Sequence, residues 1–176
     1  GLFAGGSGSN VIDYVTIATL GNATDFGDLL TSPFGPAACA SPTRGLVGGG
    51  SGSTVIQYVT IATTGNATDF GDFAANKGYT GSLSSSIRGI WAGSDTGGVY
   101  ANVAEYVTIA TTGNAADFGD LTVSRGAPAG ASSPIMGLFS GGNTGASSNV
   151  IDYFNISTLG NAADFGDLTV ARIAVA

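Results

Sequence analysis

The sequence predicts an all-β chain of four blade-like sheets, and three observations carry that reading. The octapeptide "GNATDFGD" at 21–28 and 65–72 returns as "GNAADFGD" at 113–120 and 160–167. Aligning on the glycine that opens "GLFAGG" divides the chain into repeats 1–44, 45–88, 89–136 and 137–176, a period that signals a solenoid, propeller or array. No segment has an apolar period of 3.6, so almost no helix is expected.

The elements follow in order within each repeat. "GLFAGG", "GLVGGG", "GIWAGS" and "GLFSGG" read as short apolar strands that end in glycines. "VIDYVTIAT" (11–19), "VIQYVTIAT" (55–63), "VAEYVTIAT" (103–111) and "VIDYFNIST" (150–158) are rich in residues that favour extended structure. Both alternating faces are apolar, with Val11, Val15 and Ile17 on one and Ile12, Tyr14 and Ala18 on the other; such a strand is expected to be covered on both sides. "LGN" or "TGN" then supplies the residues of a tight hairpin, and "ATDFGDL" is the returning strand. The stretch ending "SPTR" or "SSIR" offers a fourth strand.

Spacing separates fixed from free parts. Each tyrosine (Tyr14, Tyr58, Tyr106, Tyr153) precedes the second octapeptide aspartate by 14 residues, and that aspartate precedes the next opening glycine by 17. The interval from opening glycine to tyrosine is 13, 13, 17 and 16 residues, so one loop per repeat varies and the rest is held. Four short strands in about 44 residues match a propeller blade, whose sheet packs between two neighbours. The C-terminal segment "LTVARIAVA" (168–176) is expected to supply the outstanding strand of the first repeat and close a ring of four within a single domain, 1–176. A ring shared with another copy and an open array are the alternatives.

Composition narrows the function. The net charge is −7, there is no histidine, and Arg44, Lys77, Arg88, Arg125 and Arg172 are dispersed, which argues against nucleic acid as a partner. A single cysteine, Cys39, excludes an internal disulfide and a cysteine-based zinc site, and a buried apolar thiol is expected there. No run of about 18 apolar residues is present, so no membrane span is expected.

At "GLFAGG…VIDYVTIAT…DFGDLT" the chain resembles kelch-type propeller repeats, with a glycine pair, then a tyrosine, then an aromatic on the last strand. It departs from them in having Phe26, Phe70, Phe118 and Phe165 where kelch repeats carry tryptophan, and in the 12-residue interval from the tyrosine. In wording it is closer to the repetitive "YVTIATTGNATDFGDLT" proteins associated with tail-fibre-like and other virion proteins of marine phages, a similarity spanning essentially all four repeats. That resemblance implies a virion or other extracellular setting, with a host-surface glycan or a virion protein as partner.

The aspartate pairs Asp25/Asp28, Asp69/Asp72, Asp117/Asp120 and Asp164/Asp167 hold eight of the twelve acidic residues. Carboxylates three apart can ligate calcium or serve acid–base chemistry, but four nearly identical copies favour a structural joint between repeats, through backbone N–H groups or an arginine of the next repeat. The "DFG" triplet lacks the catalytic loop and strand lysine of a kinase, and "GGSGSN" (5–10) leads into a strand rather than the helix a phosphate loop needs. The variable loops are the candidate binding surface, with Ser9, Asn10, Ser53, Asp95, Tyr100, Asn102, Asn143 and Asn149 as candidate ligand residues. The expectation is a non-catalytic binding or structural module with no cofactor and no metal. A glycoside-active enzyme using an aspartate pair, with Asp95 as the one acidic residue in a variable loop, and a spacer without ligand are the alternatives.

Overall fold

The computed structural model describes residues 1–50 and 52–173 and contains only strands among them. The first sheet has three: β1 (Leu2–Gly6), β2 (Ser9–Tyr14) and β3 (Thr24–Asp28). The second is β4 (Ala37–Ala40), β5 (Arg44–Gly48), β6 (Val55–Thr60) and β7 (Thr68–Asp72). The third is β8 (Gly81–Ser84), β9 (Arg88–Asp95), β10 (Tyr100–Thr108) and β11 (Ala116–Asp120). The fourth is β12 (Ala129–Ser132), β13 (Met136–Ser140), β14 (Ser148–Asn155) and β15 (Ala163–Arg172). Every sheet is an antiparallel meander in sequence order.

Local chemistry explains the strand ends. "SPT" and its counterparts are the turns between first and second strands: the Ser41, Ser85 and Ser133 hydroxyls accept the backbone N–H of Arg44, Arg88 and Met136 at 3.0–3.1 Å. The extra strand therefore lies just before this motif rather than in it. The glycine–asparagine pair does not make the tight hairpin expected of it. That reversal falls earlier, where Thr63 N–H bonds the Thr60 carbonyl, and Gly65 and Asn66 instead run against the preceding sheet.

Three apolar clusters fill the three gaps between sheets. Ile12, Phe26 and Leu29 meet Val47, Val59 and Ala67 in the first. Leu46, Ile56, Phe70 and Phe73 meet Trp91, Val107 and Ile109 in the second. Ile90, Phe118 and Leu121 meet Phe139, Phe154 and Ile156 in the third. Among the described residues these clusters join each sheet to its sequence neighbours, as in repeat arrays. The second, third and fourth sheets meet along their first strands, which are built of small residues; the Ser82, Ser84 and Ser132 hydroxyls donate to Ala38, Ala40 and Ser84 carbonyls at 2.7–2.8 Å.

The two end sheets depart from expectation. Burial at the position three after the tyrosine falls off toward the first sheet: Ile109 and Ile156 are each 1% exposed, Ile61 is 37% exposed and Ile17 is 86% exposed. Among the described residues the C-terminal segment does not join the first sheet: residues 168–172 extend β15 along β14. The first strands start nine residues after the second octapeptide aspartate, at Ala37, Gly81 and Ala129, and the same interval from Asp167 ends on Ala176, outside the described residues.

Candidate functional site

The octapeptide sits at each internal joint. Its Asp–Phe–Gly–Asp forms a β-bulge against the tyrosine strand: Asp13 pairs with Asp25 and Ile12 with Gly27, leaving Phe26 as the extra residue. The same shift occurs in all four repeats. Tyr14, Tyr58, Tyr106 and Tyr153 meet the phenylalanine of their own repeat edge-on, with centroids 5.7–6.1 Å apart; the 12-residue interval brings those two rings onto adjacent strands. Gly27, Gly71, Gly119 and Gly166 hold φ between +137° and +149°, a region that favours glycine.

The next repeat's "GN-Ala" lies along the outer edge of that strand. Gly65 N–H donates to the Phe26 carbonyl at 2.8 Å and Ala67 N–H to the Asp28 carbonyl at 2.8 Å. Asp28 N–H in turn donates to Asn66 Oδ1 at 3.0 Å. Gly113, Ala115 and Asn114 repeat this on Phe70 and Asp72, and Gly160, Ala162 and Asn161 repeat it on Phe118 and Asp120. The bulge glycine makes room: a Cβ at Gly27, Gly71 or Gly119 would collide with the carbonyl of Gly65, Gly113 or Gly160. The edge of each internal last strand is thereby covered, which is how sheets avoid promiscuous pairing.

The aspartates enter these joints through their backbone. Asp25, Asp69, Asp117 and Asp164 are exposed; the Asp72 carboxylate accepts from Thr54 Oγ1 at 2.9 Å and that of Asp164 from Gly166 N–H at 3.1 Å. The arginine link expected for them is not formed. Arg44 and Arg88 instead donate to the carbonyls of Ile109 and Ile156 of the next sheet, at 2.9 and 2.7 Å, while stacking on Tyr58 and Tyr106. Among the described residues no three acidic or thiol groups gather as a metal site.

A second polar joint lies one step along, and sequence reasoning missed it. The residue before each tyrosine reaches the backbone that follows the preceding octapeptide. Gln57 Oε1 accepts from Leu30 N–H at 2.6 Å, Glu105 Oε1 from Ala74 N–H at 2.9 Å, and Asp152 Oδ2 from Thr122 N–H at 3.2 Å. Two of these side chains also pair with buried cations: Lys77 Nζ with Glu105 Oε2 at 3.1 Å and Arg125 Nη2 with Asp152 Oδ2 at 2.8 Å. Burial lowers the pKa of both Lys77 and Arg125, and their carboxylate partners oppose the shift. The available signal was positional: Lys77 and Arg125 each lie five residues after the second octapeptide aspartate.

The variable hairpins join β1 to β2, β5 to β6, β9 to β10 and β13 to β14. Most of their candidate ligand side chains are engaged in their own turns. Ser9 and Ser53 hydroxyls accept from Val11 and Val55 N–H at 3.2 and 3.1 Å, Asp95 Oδ1 from Gly98 N–H at 2.7 Å, and Asn143 Oδ1 from Gly145 N–H at 3.0 Å. Asn102 Nδ2 donates to the Leu121 carbonyl at 3.4 Å. Asn10, Tyr100 and Asn149 are half-buried at the starts of β2, β10 and β14. The eight residues lie in or beside the variable hairpins of the four sheets.

A cavity of about 450 Å³ opens between the first two sheets, lined by Leu2, Ala4, Ala38, Cys39 and Leu46 among others. Among the described residues the first sheet has no counterpart of β4, β8 and β12 at this place, whereas β8 packs on β4 and β12 on β8 at the corresponding positions. Cys39 is buried there, and burial pushes its thiol pKa up. No family model matches the chain, and no curated protein matches it.

Proposed function

We propose that this chain is a non-catalytic binding or structural module of propeller-like architecture, displayed on a virion or other extracellular assembly, which contacts a host glycan or protein through its variable hairpins. The observation that carries this reading is the division of labour within each repeat. The parts held at constant spacing, the bulge, the glycine–asparagine segment and the position before the tyrosine, are occupied in joints between sheets. Only the β1–β2 hairpin and its counterparts change in length, and a rigid scaffold with adjustable loops is the usual design of a recognition surface. Convergence of the sheets on small-residue first strands supports blades around an axis. The virion setting rests on the wording of the repeats.

Glycan-array and host-surface binding of the intact chain tests the reading, with Tyr100→Ala in the longest hairpin as the probe variant. Binding that Tyr100→Ala weakens without changing the melting temperature is the expected result. Turnover of a bound glycan, abolished by Asp95→Asn, would replace binding with glycoside chemistry. Absence of any ligand would leave the spacer role.

A further inference from the structure

We propose that the two ends of this chain are mates: the exposed edge of the fourth sheet binds the first repeat of a second copy, through the same joint that links the repeats internally. The fourth repeat carries the complete acceptor half. Its bulge has the same register, Asp152 with Asp164 and Ile151 with Gly166, and the space above Gly166 is open where the other bulge glycines meet a carbonyl. Phe165 is 55% exposed, against 2–5% for Phe26, Phe70 and Phe118. The first repeat carries the donor half: Ala23 is exposed, whereas its counterparts at the internal joints, Ala67, Ala115 and Ala162, are buried or half-buried.

Charge selects the pairing. The position five residues after the second octapeptide aspartate and the position before the next tyrosine hold Lys77 with Glu105 and Arg125 with Asp152, each a buried pair. Where the chain places an uncharged residue, Pro33, the facing position is Gln57. Arg172 occupies the cation position of the fourth repeat, and the remaining acid position in the chain is Asp13. Among the described residues neither has an oppositely charged partner.

Arg172 is already in place for the role. Its backbone pairs with Ser148, four residues before Asp152, as Lys77 N–H bonds the carbonyl of Ser53, four before Gln57, and Arg125 N–H that of Ala101, four before Glu105. The contact is head-to-tail, so copies form a ring if the rotation closes and a longer array if it does not.

Light scattering of the intact chain over a range of concentrations, with charge-reversed variants, tests the proposal. The wild type is expected to exceed the 17.2 kDa monomer mass as concentration rises. Arg172→Glu and Asp13→Arg should each weaken association by about 30-fold or more, the effect of removing one partner of a buried interfacial charge pair. The double variant Asp13→Arg/Arg172→Glu, and a mixture of the two single variants, should recover it. Recovery by charge exchange cannot come from misfolding, and circular dichroism of each variant verifies the strands. A wild type that stays monomeric at every concentration, association that neither single variant weakens, or a double variant no better than the singles would overturn the proposal.

Discussion

Replacing Arg125 by methionine removes a guanidinium that is 0% exposed and leaves the equally buried Asp152 carboxylate with only Thr122 as partner. Stranding one member of a buried pair costs about 3–5 kcal/mol. In a chain of this length that is a fall of about 6–20 °C in melting temperature. Asp152→Asn should cost a similar amount, because Arg125 then keeps only the Phe139 carbonyl, at 3.0 Å. The double variant behaves differently. Arg125 Nε and Nη1 are buried without hydrogen-bond partners among the described residues, so its removal returns a desolvation cost. An amide at 152 can still accept the Thr122 N–H. Arg125→Met/Asp152→Asn should therefore lie within about 1 kcal/mol of wild type, since exchanging both partners of a buried pair is often near neutral. Urea and thermal unfolding of the four proteins complete the cycle. A double variant that loses the sum of the two singles would refute the reasoning, since the two groups would then be acting independently.

Three further outcomes follow from the same geometry. Gly71→Ala and Gly166→Ala both strain a positive-φ residue by about 1–3 kcal/mol, but only the first drives a methyl into the Gly113 carbonyl; it should cost a further 1–3 kcal/mol or so in chemical denaturation. Trp91 is fully buried against Phe73, ring centroids 5.3 Å apart, so its fluorescence should be blue-shifted in the folded protein and respond to Gly71→Ala more than to Gly119→Ala. Cys39 has its thiol pKa raised by burial, so the folded state binds more protons than the unfolded state above the ordinary thiol value of 9.0. Its contribution is whole below that pH and is lost as pH rises beyond it; Cys39→Ala should flatten this decline in a stability–pH profile.

Much of this fold was legible because its repeats restate one packing problem four times. The fixed interval from tyrosine to octapeptide marks adjacent strands, and the 12-residue spacing of tyrosine and phenylalanine is an edge-on ring contact. Reading "TGN" as a hairpin failed because glycine and asparagine have a second use: a small backbone and a side-chain amide fit the edge of a neighbouring sheet, as Gly65 and Asn66 do. The aspartates drew attention as carboxylates, whereas Asp28, Asp72 and Asp120 link the repeats through N–H and carbonyl groups that sequence does not distinguish. The ion pairs escaped notice because their members lie 27 or 28 residues apart, at repeat positions whose letters change from copy to copy. The variable hairpins are legible from their changing lengths, but which side chains their turns consume, as with Asp95 and Gly98, is a matter of geometry.

The octapeptide's role as the joint between sheets can be tested most directly by hydrogen exchange with mass spectrometry, at a concentration where the chain is monomeric. The account predicts slow exchange in peptides spanning Gly65–Ala67, Gly113–Ala115 and Gly160–Ala162, whose amides are bound to the preceding sheet, and fast exchange at Gly21–Ala23, whose amides bond no other sheet among the described residues. Four segments that exchange alike would contradict it.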